Sequence, residues 1–211
     1  VERQINVCLF PYVGVPEWCA RNGVMVTRNK MIYLPLCGLV AALTAVGAYV
    51  RVPMWPVPFT LQTLFVMLGA SILPVGYAFA AQMVYVGCGL IGLPVFAAGG
   101  GLGVVLHPTF GYLAAFPLAS ALASALLGAR REASGQLPSW SRLLLANGAA
   151  ALLVLIMGVA YLYFNLNVVA GKAIAPGAAL WAGAIVFLPG EALKAVLVSA
   201  VARRVWHGIR R

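Results

Sequence analysis

The chain has 211 residues, of which 63% are hydrophobic and 9% charged, with a net charge of +10 at pH 7. A soluble domain carries about 25% charged residues. This composition therefore excludes an ordinary soluble fold and, with a mean hydropathy of +0.98, describes a chain that crosses a membrane several times. The apolar runs are near-continuous and rich in Leu, Ala, Val and Gly, with no alternating segments of about ten residues, which favours helices over a barrel.

Residues 1–29 are mixed in character, hold Glu2 and Glu17, and lack the cationic start and apolar middle of a signal peptide. They read as an interfacial or loose tail. Val1 stands where a methionine would, and Met25 and Met31 are candidate natural starts.

The first crossing is expected over about Met31–Val50. Within it Ala41 and Ala45 lie four apart, with Gly38 and Ala42 beside them. Small residues at that spacing let another helix pack closely. The stretch "RVPMWPVPFTLQ" follows, where Pro53, Pro56 and Pro58 forbid a helix and impose an extended course. It reads as a plain rigid connection or as a stiff cavity wall that offers Trp55 and Phe59 as apolar contacts. Thr60 and Gln62 open a short second crossing, about Thr60–Leu73, with polar side chains, and a third spans about Val75–Leu93.

The connection "GLPVFAAGGGLGVVLHPTF" is neutral apart from His107 and holds the run Gly99–Gly101, which allows backbone shapes closed to other residues. It is no phosphate loop, because G-x-x-x-x-G-K-[ST] is absent. Thr109 and Tyr112 either supply hydroxyls to a cavity or serve as a helix cap and an interface aromatic. The fourth crossing is expected over about Gly111–Ala129 and the fifth over about Leu143–Phe164. A short or re-entrant segment carries Pro176. The sixth crossing runs over about Pro189–Val205, with Pro189 suited to a first helical turn. The expected fold is all-α: a bundle of six transmembrane helices over residues 30–206, followed by a basic tail, 207–211.

With six crossings, Arg28, Lys30, Arg130, Arg131, Arg142, Arg203, Arg204, Arg210 and Arg211 share one side, and Arg51 and Lys172 the other. Nine against two places both termini in the cytoplasm. The positive balance is thus explained by topology, and no nucleic-acid partner is needed.

Of four acids, Glu191 alone lies in the apolar body, and Lys194 is the lone Lys or Arg well inside a crossing. Three residues apart, they share a helix face. Each ionised group at mid-bilayer costs about 2.5–3.5 kcal/mol on an insertion scale, so both must face a protein interior or a watery cavity. One reading is an ion pair that staples helices together. The other, preferred because a single-turn pair gains little against its desolvation, is a site for a polar ligand near the outer end of the sixth helix. No catalytic motif appears, neither H-E-x-x-H nor G-x-S-x-G. Cys37 and Cys88 read as small hydrophobes, and neither a metal nor a cofactor is indicated.

Four ordered motifs, "VPFTLQTLFVMLGA", "VYVGCGLIGLPVFAAGGGLG", "HPTFGYLAAF" and "LPGEALKAVL", resemble the BioY family, the biotin-binding S components of energy-coupling-factor (ECF) vitamin transporters. The resemblance covers about residues 31–206. It implies a six-helix protein of the bacterial cytoplasmic membrane that captures biotin from outside and works with a transmembrane coupling protein and a pair of ATPases. It is not itself an enzyme. Carried over by position, the family's acid and lysine fall on Glu191 and Lys194, where the family usually has Asp for Glu191. Its helix-one docking motif falls on Ala41 and Ala45. The family's "GPTGGY" reads "HPTFGY" here, so His107 and Phe110 replace glycines. The resemblance further implies that Glu191 accepts from the ureido N–H groups of biotin while Lys194 donates to the ligand and keeps Glu191 ionised. Trp55, Phe59, Tyr85 and Tyr112 are expected as walls, and Arg51 as a contact for the valerate carboxylate. A solitary proton-coupled carrier and a ligand-free structural subunit remain as alternatives.

Overall fold

A computed structural model of the chain describes residues 24–134 and 138–209. Residues 1–23 of the expected tail, and Arg210 and Arg211, lie outside them. Helix α1 spans Val24–Tyr49, so residues 24–29, expected as tail, already belong to the first helix. A ribbon of two short antiparallel strands follows, β1 (Arg51–Val52) and β2 (Phe59–Thr60), with Arg51 opposite Thr60 and Val52 opposite Phe59. The proline-rich link is thus extended, as its prolines require, and folded back on itself.

Helices α2 (Gln62–Ile72) and α3 (Val75–Leu90) come next, then α4 (Phe110–Ser134) and α5 (Trp140–Phe164). Between α3 and α4 the chain makes a 3-10 turn at Leu102–Leu106, and α5 ends in a π turn at Asn165–Val169. The segment expected as short or re-entrant is an eight-residue helix, α6 (Pro176–Gly183). A 3-10 turn, Ile185–Phe187, joins it to α7 (Leu188–Ile209), which places Pro189 in the first turn and carries helix through residues 207–209, expected as tail.

At about 1.5 Å of rise per residue, the 11 residues of α2 cover only about half of a hydrocarbon core of about 30 Å. Among the described residues, four stretches are long and apolar enough to cross a membrane: Ile32–Tyr49, Phe110–Gly128, Trp140–Val169 and Pro176–Val205. Large apolar side chains such as Leu34, Leu145 and Ile156 face outward. In lipid that arrangement is favourable.

Short as it is, α2 touches all five of the other long helices, and α4 and α5 form the most extensive pair. Small residues permit this closeness: Ala115, Ala119 and Ala123 of α4 and Ala146 and Ala150 of α5 are buried in one cluster with Tyr85, Phe116 and Leu143. Ala70 of α2 joins them. Ala41 is 8% exposed and belongs to this interior, with half-buried Ala45 packed against it. The expected docking pair therefore faces into the bundle. It is Gly38 and Ala42, one position away on the helical wheel, that face out.

The helix ends sort the charges. Arg51 and Lys172 lie at the end that carries the ribbon. At the opposite end Arg142 donates twice to the carbonyl of Leu126, at 2.9 and 2.6 Å, and Arg203 lies 6.0 Å from the centre of the Trp140 ring.

Candidate functional site

A cavity of about 420 Å³ opens at the ribbon end. The ribbon segment 51–60 walls one side, and the loop 96–109 another. The starts of α2 and α4, the middle of α5, and the turn into α7 close the rest. This is an ordinary size for a small-molecule site. Two features hold the ribbon against the 91–101 loop: the Tyr49 hydroxyl donates to the Pro94 carbonyl, and Arg51 Nη1 donates to that of Ala97. Gly99 and Gly101 take φ of 103° and 101°, the left-handed region the glycine run was expected to supply.

The floor is built by α7. Glu191 sits in its first turn, where the positive end of the helix dipole favours a carboxylate. Glu191 is 7% and Lys194 3% exposed, and they form an ion pair at 2.6 Å. Lys194 Nζ also donates to the carbonyl of Thr60 at 2.7 Å and to Thr63 Oγ1 at 2.8 Å. Three ammonium protons thus meet three protein acceptors. The ammonium lies 4.0 Å from the centre of the Phe59 ring, a cation–π contact. Thr63 in turn donates to Glu191 Oε1 at 2.9 Å. Oε1 therefore receives two hydrogen bonds, whereas Oε2 is buried and has no partner. Glu191 lines the cavity; Lys194 stands behind it.

Close packing of the ribbon on α7 depends on Gly190. A Cβ there would come within 2.5 Å of the Phe59 ring. Phe59 also stacks on Phe187, with centroids 6.1 Å apart and planes 10° from parallel. One aromatic thus spans the ribbon, the turn into α7 and the buried ammonium.

The structure brings most of the expected residues together. Arg51, Trp55, Phe59, Thr60, Gln62, Thr109, Tyr112 and Glu191 all line the cavity. Trp55 is 74% exposed and stands at the mouth. The Tyr112 ring faces the cavity, but its hydroxyl donates to the Gly183 carbonyl at 2.7 Å, which ties α4 to α6. Thr109 Oγ1 is paired with His107 Nδ1 at 2.9 Å. Gln62 accepts from Thr60 Oγ1 at 2.9 Å and donates to the Tyr85 hydroxyl.

Two expectations need correction. Tyr85 is not a wall: it lies one layer back, edge-on to Phe96 at 5.4 Å and bonded to the Val95 carbonyl at 3.2 Å. Lys194, expected to donate to a ligand, has its protons directed at Thr60, Thr63 and Glu191.

Sequence reasoning passed over Thr63, Phe96, Phe116 and Phe187, all of which line the cavity. For Thr63 a signal existed: it is polar, next to Gln62, at the head of an apolar run. The three phenylalanines carry none, since an aromatic in an apolar chain reads as packing. His107, noted only as a departure from the family's glycine, lines the cavity as well.

Comparison with known proteins agrees with this architecture. The model of the BioY family matches residues 22–211. A probable biotin transporter BioY of Lysinibacillus sphaericus is 41% identical over 68% of this chain and 71% of its own length. The biotin transporter BioY of Thermotoga maritima is 37% identical over 80% of this chain and 92% of its own. Among solved structures, the S-component for biotin from an ECF-type ABC transporter superposes with a TM-score of 0.75 at 25% identity, covering 85% of this chain and 93% of that one.

Proposed function

The chain belongs to the BioY family, and from that membership we propose that it is a multi-pass S component that captures biotin in the cavity at the ribbon end. One observation carries the reading: Glu191 lines a cavity, and its buried carboxylate oxygen Oε2 has no hydrogen-bond partner within the protein. An unsatisfied charged acceptor costs more than the ~1–3 kcal/mol of a neutral one, and a ligand N–H removes that cost.

The ureido ring of biotin offers two N–H donors and one carbonyl. Glu191 Oε2 accepts from an N–H. Gln62, whose amide nitrogen keeps a second proton beyond the one given to Tyr85, donates to the carbonyl. Lys194 and Thr63 fix Glu191 in direction. The ring carbons and sulfur lie against Phe59, Phe116 and the Tyr112 face. Arg51 and Trp55 meet the valerate end at the mouth, and the hydroxyl of Thr109 borders the same wall.

With six crossings the sequence assigns nine basic residues to the side away from the ribbon and two to the side of Arg51 and Lys172. This supports a cavity that faces the outside and termini that face the cytoplasm, in the bacterial cytoplasmic membrane. Delivery with a membrane coupling protein and an ATPase pair agrees with the absence of a phosphate-binding loop from this sequence. The test is a thermal-shift panel on purified protein with biotin, dethiobiotin, thiamine and riboflavin. Ligand at a thousand times its Kd stabilises a folded protein by about 4 kcal/mol. Biotin should raise the unfolding temperature, and thiamine and riboflavin should not. No shift with biotin would overturn the assignment.

A further inference from the structure

The charged and titratable groups of the cavity are sorted by depth. The floor holds Glu191, tied to Lys194 at 2.6 Å. The mouth holds groups of the other sign. Arg51 lines it, and Lys172 Nζ lies 5.6 Å from the centre of the Trp55 ring. His107 completes the rim, exposed on the wall that faces the cavity. Among the described residues no carboxylate other than Glu191 lines this space. Nothing in the rim therefore neutralises a positive charge placed there.

His107 is held in place. Its own loop is fastened to α5 on the two residues before it: Asn165 donates to the Leu106 carbonyl at 2.8 Å, and the Tyr161 hydroxyl donates to that of Val105. On the ring, Nδ1 pairs with Thr109 Oγ1 at 2.9 Å. A hydroxyl both donates and accepts, so Thr109 serves the neutral and the protonated ring alike. In the protonated ring Nδ1–H donates to Thr109, and Nε2–H remains as a charged donor.

We propose that His107 is a second contact for the anionic tail of the ligand, beside Arg51, and that it makes capture tighter in acid surroundings. The proposal rests on the reading of this cavity as a biotin site. The other charged and titratable groups of the cavity and its rim are Arg51 on β1, Lys172 beyond the π turn, Tyr112 on α4 and Glu191 on α7, with Tyr161 on α5 holding the loop. The two tyrosine hydroxyls are bonded to the Gly183 and Val105 carbonyls, and Glu191 is bonded to Lys194 and Thr63. Histidine is the residue type among these whose charge ordinarily changes between about pH 5 and 8. A protonated imidazole attracts a carboxylate that stays ionised, and a neutral one leaves that attraction to Arg51.

The experiment measures equilibrium binding to the full chain in nanodiscs at pH 5.5, 6.5 and 7.5. The ligands are biotin and its primary amide, which lacks the tail charge. The proteins are wild type, His107→Asn and Glu191→Gln. An ion pair near a surface contributes up to about fivefold. Wild type should bind biotin about three- to fivefold more tightly at pH 5.5 than at pH 7.5, with the amide unaffected by pH. His107→Asn should bind biotin with an affinity that does not change with pH over this range. A flat wild-type profile, a response that survives in His107→Asn, or an equal response with the amide would overturn the role of His107. Biotin binding that is unchanged in Glu191→Gln would instead overturn the reading of the floor, which separates the two failures.

Discussion

Thr63 Oγ1 stands between the two charges of the cavity floor, accepting from Lys194 Nζ at 2.8 Å and donating to Glu191 Oε1 at 2.9 Å. Its loss removes a donor and an acceptor at once from groups that cannot reach water. Thr63→Val keeps the shape and deletes both bonds. A hydrogen bond to a charged group contributes about 1.5–3 kcal/mol, so biotin affinity should fall by tenfold or more, with Thr63→Ser recovering most of it. Titration calorimetry of the two variants decides this. Equal binding by Thr63→Val would show that the floor is not held through the hydroxyl.

Removing one partner of a buried ion pair leaves the other charge uncompensated, at a cost of about 3–5 kcal/mol. Lys194→Met should therefore unfold well below wild type, while Glu191→Gln/Lys194→Met, with no charge left, should recover much of the lost stability and still fail to bind biotin. The double-mutant cycle is read from unfolding temperature and from binding separately. Additive losses of stability would contradict the pairing.

Gly190 and Phe59 pack directly against each other where the ribbon meets α7. A methyl group at 190 would meet the ring within 2.5 Å. Overpacking of this kind costs about 1–3 kcal/mol, and here it pushes a cavity wall off the Lys194 ammonium. Gly190→Ala should weaken biotin binding, and Gly190→Ala/Phe59→Leu should recover part of it by making room. If the pair is no better than Gly190→Ala alone, the clash is not the cause.

Ala41 faces the interior and Ala42 the exterior. Ala41→Leu should destabilise the bundle by about 1–3 kcal/mol. Ala42→Leu should stay within about 0.5 kcal/mol of wild type, as substitutions away from buried features do. Thermal unfolding without partner proteins tests this. The reverse order would turn α1 by about one residue and restore the Ala41–Ala45 face as an outer surface.

The interior of α1 shows where reading the sequence stops short. Ala41–Ala45 and Gly38–Ala42 carry the same small-residue spacing, and a chain this apolar has no polar stripe to say which face is outward. In a soluble helix the charged face would have answered. In lipid, inside and outside are both apolar, and packing alone orients the helix. The ribbon at 51–60 is a similar case. Three prolines made a helix impossible, but only the pairing of Arg51 with Thr60 and Val52 with Phe59 turned an extended link into a cavity wall.

By itself the sequence determined the membrane class, the bundle of six helices and the pair of charged residues inside its apolar body. Charge is so costly in this setting that each ionisable group in an apolar run announces a need for company. What only the tertiary structure decided is the direction of each hydrogen bond. Lys194 turns its protons to Thr60, Thr63 and Glu191, Tyr85 withdraws behind Phe96, and one oxygen of Glu191 is left without a donor. Those outcomes depend on how α2, α7 and the ribbon approach one another across more than a hundred residues of chain, and no local pattern records that approach.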